Sequence, residues 1–385
     1  MTESYFLYLL LVTFLFVYFE LSNQLSSFFV SSVSCRSLSS YAFSKKSKLV
    51  YVIPIIVLSL VLGLRYNVGT DYLAYKEIYD TQNSDLFWNI VNERIEPLYQ
   101  IINHIPFLLG LPYYYMSILV CFIMFSLFYL SLDKDRDMVK WYCVTLLISG
   151  TLFSFLNIQR HAMAFCVFLF SIRYVYNRSL FKYLICILIA MGFHYSSFIL
   201  FPCYLLGVKR KILIDDWRIQ CVLCVLVLFL SKPILSYMFD FIMNYAPQGY
   251  AGYGEQILSK ETGLSEQSLF LSFMTTLIIV ISSKYLLYRH TYEIFVVYYR
   301  LYFMGMLFTT IFADSILLSR LIYPLVSLNF IVYAYMYRYV FHCIRKCNLV
   351  MMVCSFSIFF ITNITFLLYI WNSVHKCSPF QFVSL

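Results

Sequence analysis

The sequence predicts an all-α integral membrane protein that crosses the bilayer many times, and its composition and its long apolar runs carry that prediction. Of the 385 residues, 62% are hydrophobic and 12% are charged, whereas ordinary globular domains have about 25% charged residues. A water-soluble core of this size needs more polar surface than the chain supplies. We therefore expect one transmembrane domain over residues 1–385, a polytopic helical bundle without a separate soluble module.

Ten apolar runs approach the length of about 20 residues that a helix needs to cross about 30 Å of hydrocarbon. They are residues 5–19, 49–64, 111–132, 141–156, 162–176, 219–238, 267–283, 294–312, 321–337 and 348–371. Residues 97–110 are apolar but short and contain Pro106, which predicts a half-helix or a surface helix. Residues 183–208 lack charged side chains, but Gly192 and His194 interrupt them, so one long helix or a hairpin of two short helices fits. The count is eleven or twelve transmembrane helices, with a short broken or re-entrant pair.

The distribution of Lys and Arg predicts the orientation, because short cytoplasmic loops are enriched in these residues. The loops near residues 36–48, 133–140, 173–182, 209–218, 284–293 and 338–346 hold 19 of the 28 Lys and Arg residues, and the opposite loops hold seven. The first set is therefore assigned to the cytoplasm, which puts both termini and the loops near 65–110 and 239–266 outside. The net charge of +9 mostly reflects this bias. It does not predict nucleic-acid binding, because the chain has no basic recognition helix.

The cysteine and acidic residues do not form the pattern of a metal site. Most of the 12 cysteines lie in apolar runs, where cysteine packs as a small hydrophobic residue. Cys221 and Cys224 form a C-x-x-C inside a continuous apolar run, and Asp133, Asp135 and Asp137 alternate with basic residues in a short connector. We therefore expect neither a metal ion nor another cofactor.

Polar stretches mark the predicted outer boundary of the membrane. They are residues 63–75 (GLRYNVGTDYLAY), 157–161 (NIQRH), 193–196 (FHYS) and 314–323 (DSILLSRLIY). Arg65, Arg160 and Arg320 then face one boundary, and three guanidinium groups there predict a site for an anionic group such as phosphate. Taken singly, Arg65 and Arg320 also fit a snorkelling role toward lipid headgroups. His194 alone also fits an interior histidine that bonds backbone groups.

The same stretches resemble the motifs of the EpsG-type branch of bacterial polysaccharide polymerases. Residues 63–75 resemble its signature through Arg65, Gly69, Asp71, Tyr72 and Tyr75. The segment from Arg160 to Ala164 and the segment 193–196 resemble its second and third motifs, and Glu96-Pro97 and Ser319-Arg320 with Tyr323 fit the remaining pattern. His161 departs from the pattern, since the family usually has Gln at that position. The resemblance covers about residues 50–340.

This resemblance implies a polymerase of the Wzy type. Such a glycosyltransferase joins oligosaccharide repeat units carried on undecaprenyl diphosphate at the periplasmic face of the bacterial inner membrane. Its expected partners are the lipid-linked oligosaccharide, membrane lipids, and a chain-length regulator and a flippase of the same pathway. O-antigen, capsule and exopolysaccharide stay open as products. A flippase or other transporter of lipid-linked oligosaccharides, and an O-antigen ligase, are the alternative functions.

The implied reaction assigns roles to the polar residues. Arg65, Arg160 and Arg320 stabilise the negative charge that develops on the leaving lipid diphosphate. His194 removes the proton from the attacking hydroxyl, since imidazole titrates near neutral pH, and Asp71 orients or replaces it. The expected catalytic residues are thus His194, Asp71 and Arg160. The expected substrate-binding residues are Arg65, Arg320, Tyr72, Tyr75, Glu96 and Asp314.

Overall fold

A computed structural model describes residues 2–32, 50–82, 84–87, 90, 95–132, 136–245, 266–290, 293–342 and 348–383. Within these residues the protein is all-α, as the sequence predicts, and strand-like pairing is limited to a bridge between Arg65 and Phe382. The predicted cytoplasmic loop 36–48, Asp133 and Asp135, and most of the predicted external loop 239–266 lie outside the described residues.

Fifteen α-helices follow one another along the described part of the chain. They are α1 (Thr2–Ser32), α2 (Val52–Gly63), α3 (Tyr72–Asp80), α4 (Pro97–Leu108), α5 (Tyr113–Leu132), α6 (Arg136–Ile148), α7 (Thr151–Asn157), α8 (Gln159–Tyr176), α9 (Leu180–Phe193), α10 (Trp217–Tyr245), α11 (Glu266–Arg289), α12 (Phe295–Ile311), α13 (Ile316–Val326), α14 (Asn329–His342) and α15 (Leu349–Trp371). Segments of 3₁₀-helix cover Tyr195–Gly207, Leu213–Asp215 and Val374–Lys376.

The length and apolarity of these helices make the chain a multi-pass membrane protein. Among the described residues, six helical stretches are long and apolar enough to cross a bilayer: Glu3–Gln24, Tyr113–Leu132, Trp217–Tyr237, Phe270–Arg289, Leu318–Phe341 and Leu349–Trp371. The bent pair Met138–Ile148 and Thr151–Asn157 forms a seventh if it is one span. Shorter apolar helices are Val52–Gly63, Leu180–Phe193, Tyr195–Gly207 and Phe295–Ile311. The predicted eleven or twelve spans therefore depend on whether the shorter helices cross as well.

Two of the predicted apolar runs are interrupted. The predicted break in residues 183–208 is present, because α9 ends at Phe193 and a 3₁₀ segment begins at Tyr195. Residues 141–156 form two helices that meet at an angle of 64° rather than one straight helix. Gly150 lies at this bend with a φ of +77°, a left-handed conformation that glycine adopts without strain.

By packing, the described chain falls into two compact units. The first comprises Met1–Ser171, Phe181–Phe198 and Ile361–Leu385. In it α2 packs along α5 and α1 along α6. A Cβ atom on Gly63 would lie 2.6 Å from the Cα atom of Ile118, so this glycine lets α2 and α5 approach closely. The single domain expected from the sequence stays a prediction.

The second unit comprises Ile172–Leu180 and Ile199–Phe360. Its centre is α12, which is almost wholly buried and packs against α10 and α13. Arg300 of α12 donates to both carboxylate oxygens of Asp215, at 2.8 and 2.6 Å, and to the carbonyls of Leu206, Val208 and Arg210. Asp215 thus neutralises the charge of Arg300, and carbonyls near the end of the 3₁₀ segment Tyr195–Gly207 bond its remaining donors. A buried arginine needs such partners, because an unpaired buried charge is strongly destabilising.

Candidate active site

Glu96 is the centre of a polar cluster in the first unit. It precedes α4 in an extended conformation, and Pro97 occupies the first helical position, where its missing N–H removes no helical hydrogen bond. The carboxylate accepts a hydrogen bond from Arg160 Nη1 at 2.7 Å and from His194 Nδ1 at 2.6 Å. Its side chain is only 4% exposed. Residues far apart in the sequence are therefore joined by one buried carboxylate.

The charge on Glu96 determines which nitrogen of His194 carries a proton. Burial raises the pKa of Glu96, but the hydrogen bond from His194 and the charge of Arg160 outweigh it and lower the pKa to about 2. An ionised carboxylate only accepts hydrogen bonds, so Nδ1 of His194 must be the protonated nitrogen. Nε2 of the neutral ring then has its lone pair available, the geometry of a general base oriented by a carboxylate.

Arg160 lies in the first turn of α8 with donors to spare. Nη1 is bonded to Glu96, whereas Nε is buried without a hydrogen-bond partner among the described residues. The side chain is 29% exposed. Tyr75 lies beside it: burial raises the pKa of the Tyr75 hydroxyl, and the charge of Arg160 partly offsets that effect. A partly exposed guanidinium that is fixed through Nη1 is suited to bind an anionic oxygen.

Uncharged polar groups without partners accompany Arg160. Within the described chain, Nε2 of Gln159, the hydroxyl of Tyr113 and both side-chain polar atoms of Gln100 are buried and make no hydrogen bond. Oε1 of Gln159 accepts from the hydroxyl of Tyr99 at 3.2 Å, which fixes the direction of its amide. Native structures leave few buried polar groups unpaired, and these groups lie on α4, α5 and α8.

His161 lies against the catalytic candidate His194. The centroids of the two imidazole rings are 3.5 Å apart and their planes are inclined by 41°. The residue that departs from the family pattern in the sequence is thus a neighbour of the candidate base.

Arg65 is placed as a support of the backbone. Its side chain is buried, and every nitrogen of the guanidinium donates to the protein: Nε to the carbonyl of Val68, Nη1 to that of Leu62 and to Ser117 Oγ, and Nη2 to the carbonyl of Leu156. The carbonyls of Leu62 and Leu156 belong to the carboxy-terminal turns of α2 and α7, where a cation is stabilising, and that of Val68 belongs to the loop after α2. The residue does not snorkel toward a surface, and its donors are occupied by the fold.

The loop after Arg65 is fixed against the end of α7. Gly69 has a φ of +102°, and a Cβ atom on it would lie 2.9 Å from the carbonyl oxygen of Leu156. Oδ1 of Asn157 accepts hydrogen bonds from the hydroxyl of Thr70 and, at 3.0 Å, from the backbone N–H of Asp71. Asp71 thereby precedes α3 in a defined position and is partly exposed. The glycine of the signature is required by close backbone contact.

Tyr72 and Tyr75 pack in an aromatic cluster inside the first unit. They are 2% and 6% exposed, whereas Tyr66 is 46% exposed. The ring of Tyr72 meets that of Tyr113 at 5.3 Å, and the ring of Tyr75 meets that of Tyr99 at 5.8 Å. Both tyrosines therefore attach α3 to α4 and α5 through aromatic contacts. Of the three, Tyr66 is the one with an open ring face.

Arg320 and Asp314 belong to the second unit, where both are exposed. Asp314 precedes the first turn of α13, whose N-cap Ser315 accepts a hydrogen bond from the N–H of Leu318 at 3.4 Å. Their participation in substrate binding stays a prediction. The described residues contain no group of three or more His, Cys, Asp or Glu side chains arranged for a metal ion.

Sequence reasoning did not find Gln100, Asn157, Gln159 or His375 as members of the site. Asn157 and Gln159 flank the segment around Arg160, so their nearness to the motif was a usable signal. Gln100 follows Glu96 by one helical turn and stands on the same face of α4, which is a weaker signal. His375 follows the last long helix, and the local sequence there carries no sign of its position.

Together, the fold and the cluster define a multi-pass membrane protein in which a buried carboxylate orients a histidine and an arginine with free donors. A scan against protein-family models matches the EpsG family over residues 48–382. The chain belongs to this family, which supports a polysaccharide polymerase of glycosyltransferase type that acts on lipid-linked sugars. Searches of the curated proteins and of the solved structures gave no match to the chain.

Proposed function

We propose that the protein joins oligosaccharide repeat units carried on undecaprenyl diphosphate, at the periplasmic face of the inner membrane. The observation that supports this proposal is the Glu96 cluster. It combines a candidate base, His194, with Arg160, whose Nε has no partner among the described residues. Base and anion-binding group are the two functions that transfer of a glycan from a diphosphate requires. Membership of the EpsG family supports the same reaction class.

In the proposed reaction His194 activates the acceptor. The proton of a sugar hydroxyl on the incoming unit moves to Nε2 of His194, and the hydroxyl oxygen forms a bond to the anomeric carbon of the growing chain. The bond between that carbon and the diphosphate oxygen breaks, so the lipid diphosphate leaves with the electron pair. Glu96 stabilises the imidazolium that forms, as the carboxylate of a catalytic triad does.

Arg160 is the proposed donor to the leaving diphosphate. Its fixed Nη1 holds the guanidinium in place, and its remaining N–H groups can bond the oxygens on which charge develops. Arg65 supports this arrangement by bonding carbonyls at the ends of α2 and α7. Asp71, Tyr72 and Tyr75 fix the position of α3 in the same unit. Arg320 and Asp314 are retained as substrate-binding candidates from the second unit.

The unpaired amides beside Arg160 suit the sugar. Gln100, Gln159 and the Tyr113 hydroxyl offer both donors and acceptors without charge, the combination that sugar hydroxyls bond. Tyr66, with its exposed ring, is the candidate for stacking on a sugar face. Replacing Gln100 or Gln159 by Leu should change which repeat units are polymerised while Arg160 and His194 stay in place.

The proposed orientation places the cluster outside the cytoplasm, as the Lys and Arg distribution predicts. Reporter fusions after Glu77 should read periplasmic, and fusions after Lys211 should read cytoplasmic. The corresponding positions Glu255 and Lys46 lie outside the described residues. A cytoplasmic reading after Glu77 would place the cluster on the wrong face for a polymerase of this type.

The decisive experiment is deletion of the gene followed by complementation with variants, read as polymer length on gels and as lipid-linked intermediates. The deletion, Arg160→Ala and His194→Gln should each yield single units. Arg218→Ala and His290→Gln are matched controls, because Arg218 is exposed in the second unit and His290 forms another histidine–glutamate pair there, with Nδ1 2.8 Å from Glu293 Oε2. Both controls should give normal polymer.

The same strains separate the alternatives. A lost ligase leaves long polymer that is not transferred to the lipid A core, and a lost flippase strands single units in the cytoplasmic leaflet. Either pattern in the deletion strain would overturn the polymerase proposal. A chain-length regulator and a flippase of the same pathway are the proposed partners. Deletion of the regulator should change the modal polymer length, and deletion of the flippase should reduce the supply of lipid-linked units. Neither deletion should restore polymer in Arg160→Ala.

A further inference from the structure

The chain that follows α15 runs back over the loop between α2 and α3. Tyr66 donates its backbone N–H to the carbonyl of Gln381 at 2.8 Å, and Val383 donates to that of Leu64 at 2.8 Å. Farther along the loop, the N–H of Gly69 lies 3.3 Å from the carbonyl of Lys376. The carboxy-terminal segment, residues 373–383, thus lies on the loop that carries Arg65 and Asp71.

Contacts with α1 keep the carboxy-terminal segment in this position. The Tyr8 hydroxyl donates to the carbonyl of Cys377 at 2.8 Å, and Ser4 Oγ accepts from the N–H of Phe380 at 2.8 Å. Ser373, His375 and Lys376 have φ angles of +49°, +57° and +51°. Residues other than glycine adopt such angles where their surroundings hold them, often near functional sites.

The hydrogen bonds of Asn157 determine the tautomer of His375. Oδ1 of Asn157 is occupied by the N–H of Asp71 and the hydroxyl of Thr70, so its NH₂ group faces His375 Nδ1 at 3.4 Å. An NH₂ group only donates, and Nδ1 must therefore accept. The proton of the neutral ring is then on Nε2, which lies 3.4 Å from Ser154 Oγ.

The surroundings of His375 keep the ring neutral. Burial lowers the pKa of His375, and the charge of Asp71 partly offsets this effect. Its contacts with Asn157, with Ser154 and with the ring of Tyr369, whose centroid is 6.4 Å away, are to uncharged groups. Lys376, the next residue, is exposed. A proton added to Nδ1 would face the NH₂ group of Asn157 and would turn that amide away from Asp71.

We propose that His375 is a positioning residue that orients Asn157 and, through it, Thr70 and Asp71, so that the carboxy-terminal segment is a working part of the active site. The inference rests on the proposed function, since Asp71 is a candidate residue of that reaction. Protonation of His375 disconnects Asn157 from Asp71, and polymerisation therefore weakens at acid pH through this group.

Substitutions of His375 separate an acceptor role from simple packing. In His375→Asn, Oδ1 takes the place of the Nδ1 acceptor, and asparagine tolerates a positive φ. His375→Gln places its amide near the position of Nε2 instead, and His375→Leu supplies neither. In cells that make their own lipid-linked units, polymer length should stay near wild type for His375→Asn. For His375→Leu the polymerisation rate should fall by up to about 10²-fold, and the polymer should be shorter. Gln should resemble Leu.

The pH profile supplies a readout that packing alone does not move. In isolated membranes the decline of wild-type polymerisation at acid pH reflects protonation of both the base His194 and His375, so it should become less steep in His375→Asn, which cannot be protonated. Asn157→Asp should resemble His375→Asn in its acid limb, because a carboxylate accepts from Nδ1–H of His375 in either the neutral or the protonated ring and still accepts from Thr70 and Asp71. Lys376→Asn, an exposed neighbour with the same backbone conformation, is the matched control and should match wild type.

Wild-type polymer from His375→Leu, or equal loss in the Asn and Leu variants at equal protein abundance, would overturn the positioning role. An acid limb of unchanged steepness in His375→Asn would also overturn it. Failure of the underlying function gives a different result, since Arg160→Ala would then make normal polymer as well. If His375→Leu does not accumulate in the membrane, the Asn and Gln variants and the Asn157→Asp profile decide the question.

Discussion

Two arginine–carboxylate pairs, one in each unit, differ in how many donor groups of the arginine are already bonded within the protein. Arg300 donates from all three nitrogens, to both oxygens of Asp215 and to three carbonyls, and its side chain is 2% exposed. Arg160 donates to one oxygen of Glu96, leaves Nε without a partner among the described residues and is 29% exposed. The other oxygen of Glu96 holds His194.

The pairing of an arginine with a carboxylate therefore does not by itself indicate a functional site. The guanidinium of Arg300 has no donor nitrogen left for a ligand. Its role is structural, because it bonds carbonyls at the end of a 3₁₀ segment and leaves no unpaired buried charge. Arg65 belongs with Arg300 in this respect, although it lies in the signature. Arg160 combines a fixed position with unused donors, and its carboxylate partner also orients a base.

Arg300→Ala should give the largest loss of stability. It leaves Asp215 buried without its partner, which costs about 3–5 kcal/mol. Thermal unfolding in detergent should occur at a lower temperature, and the protein should be less abundant in membranes. The polymer made per molecule that remains should be close to wild type. A stable, abundant Arg300→Ala protein would remove the distinction between the two pairs.

Arg160→Ala should show the reverse pattern. Polymerisation should fall by about 10²–10³-fold, as when a donor to a developing negative charge is removed, while membrane abundance stays near that of wild type. Arg160→Lys should rescue poorly, because an ammonium cannot supply the planar fork of donors. Radiolabelled sugar incorporation per unit of protein measures this effect. Normal incorporation by Arg160→Ala would end its role as the anion-binding residue.

Glu96→Gln should have a smaller effect that falls on activity. Glutamine has one acceptor oxygen, so it can accept from His194 only with its NH₂ group facing Arg160; the charge and the hydrogen bond to Arg160 are lost, and hydrogen bonds to charged groups contribute about 1.5–3 kcal/mol. We expect polymerisation to fall by about 10–10²-fold, with less loss than in His194→Gln. A polymer ladder from Glu96→Gln that matches wild type would show that the orientation of His194 does not need the carboxylate charge.

Acid should weaken the Glu96 cluster only far below neutral pH. The pKa of Glu96 is lowered from 4.5 to about 2, so the ionised form stabilises the folded state above pH 4.5, and this contribution is lost as the pH falls toward 2. The difference in unfolding temperature between wild type and Glu96→Gln should be constant above about pH 5 and shrink below it. A difference that already shrinks between pH 8 and 6 would mean that another group controls it.

The smallest effect is expected for an exposed pair in the first unit. Lys76 and Asp80 form an ion pair one turn apart on α3, with side chains 41% and 48% exposed. Pairs of this kind contribute about 0.3–0.5 kcal/mol. Lys76→Ala should therefore leave both membrane abundance and polymer length unchanged, and it serves as the baseline against which the Arg160 and Arg300 variants are read. A strong polymer defect would assign Lys76 a role that its exposure does not suggest.

Hydrophobicity determined the helical architecture from the sequence alone. The apolar run 348–371 became α15 (Leu349–Trp371), the run 294–312 became α12 (Phe295–Ile311), and the predicted break at His194 separates α9 from a 3₁₀ segment. These features are local, because each residue contributes its own transfer free energy and the interruption is visible within a few residues. The motifs likewise indicated the EpsG family, since their order and spacing are written along the chain.

Tertiary structure decided which polar residues are in contact and which of their hydrogen-bond donors remain unused. The sequence placed Arg65 and Arg160 in equivalent positions, yet the first donates to carbonyls of α2, α7 and the loop after α2, whereas Nε of the second has no partner among the described residues. Glu96 meets Arg160 across 64 residues and His194 across 98, and His375 reaches Asn157 across 218. Hydrogen bonds depend on distances and angles set by packing of the whole unit, and sequence spacing does not contain that information.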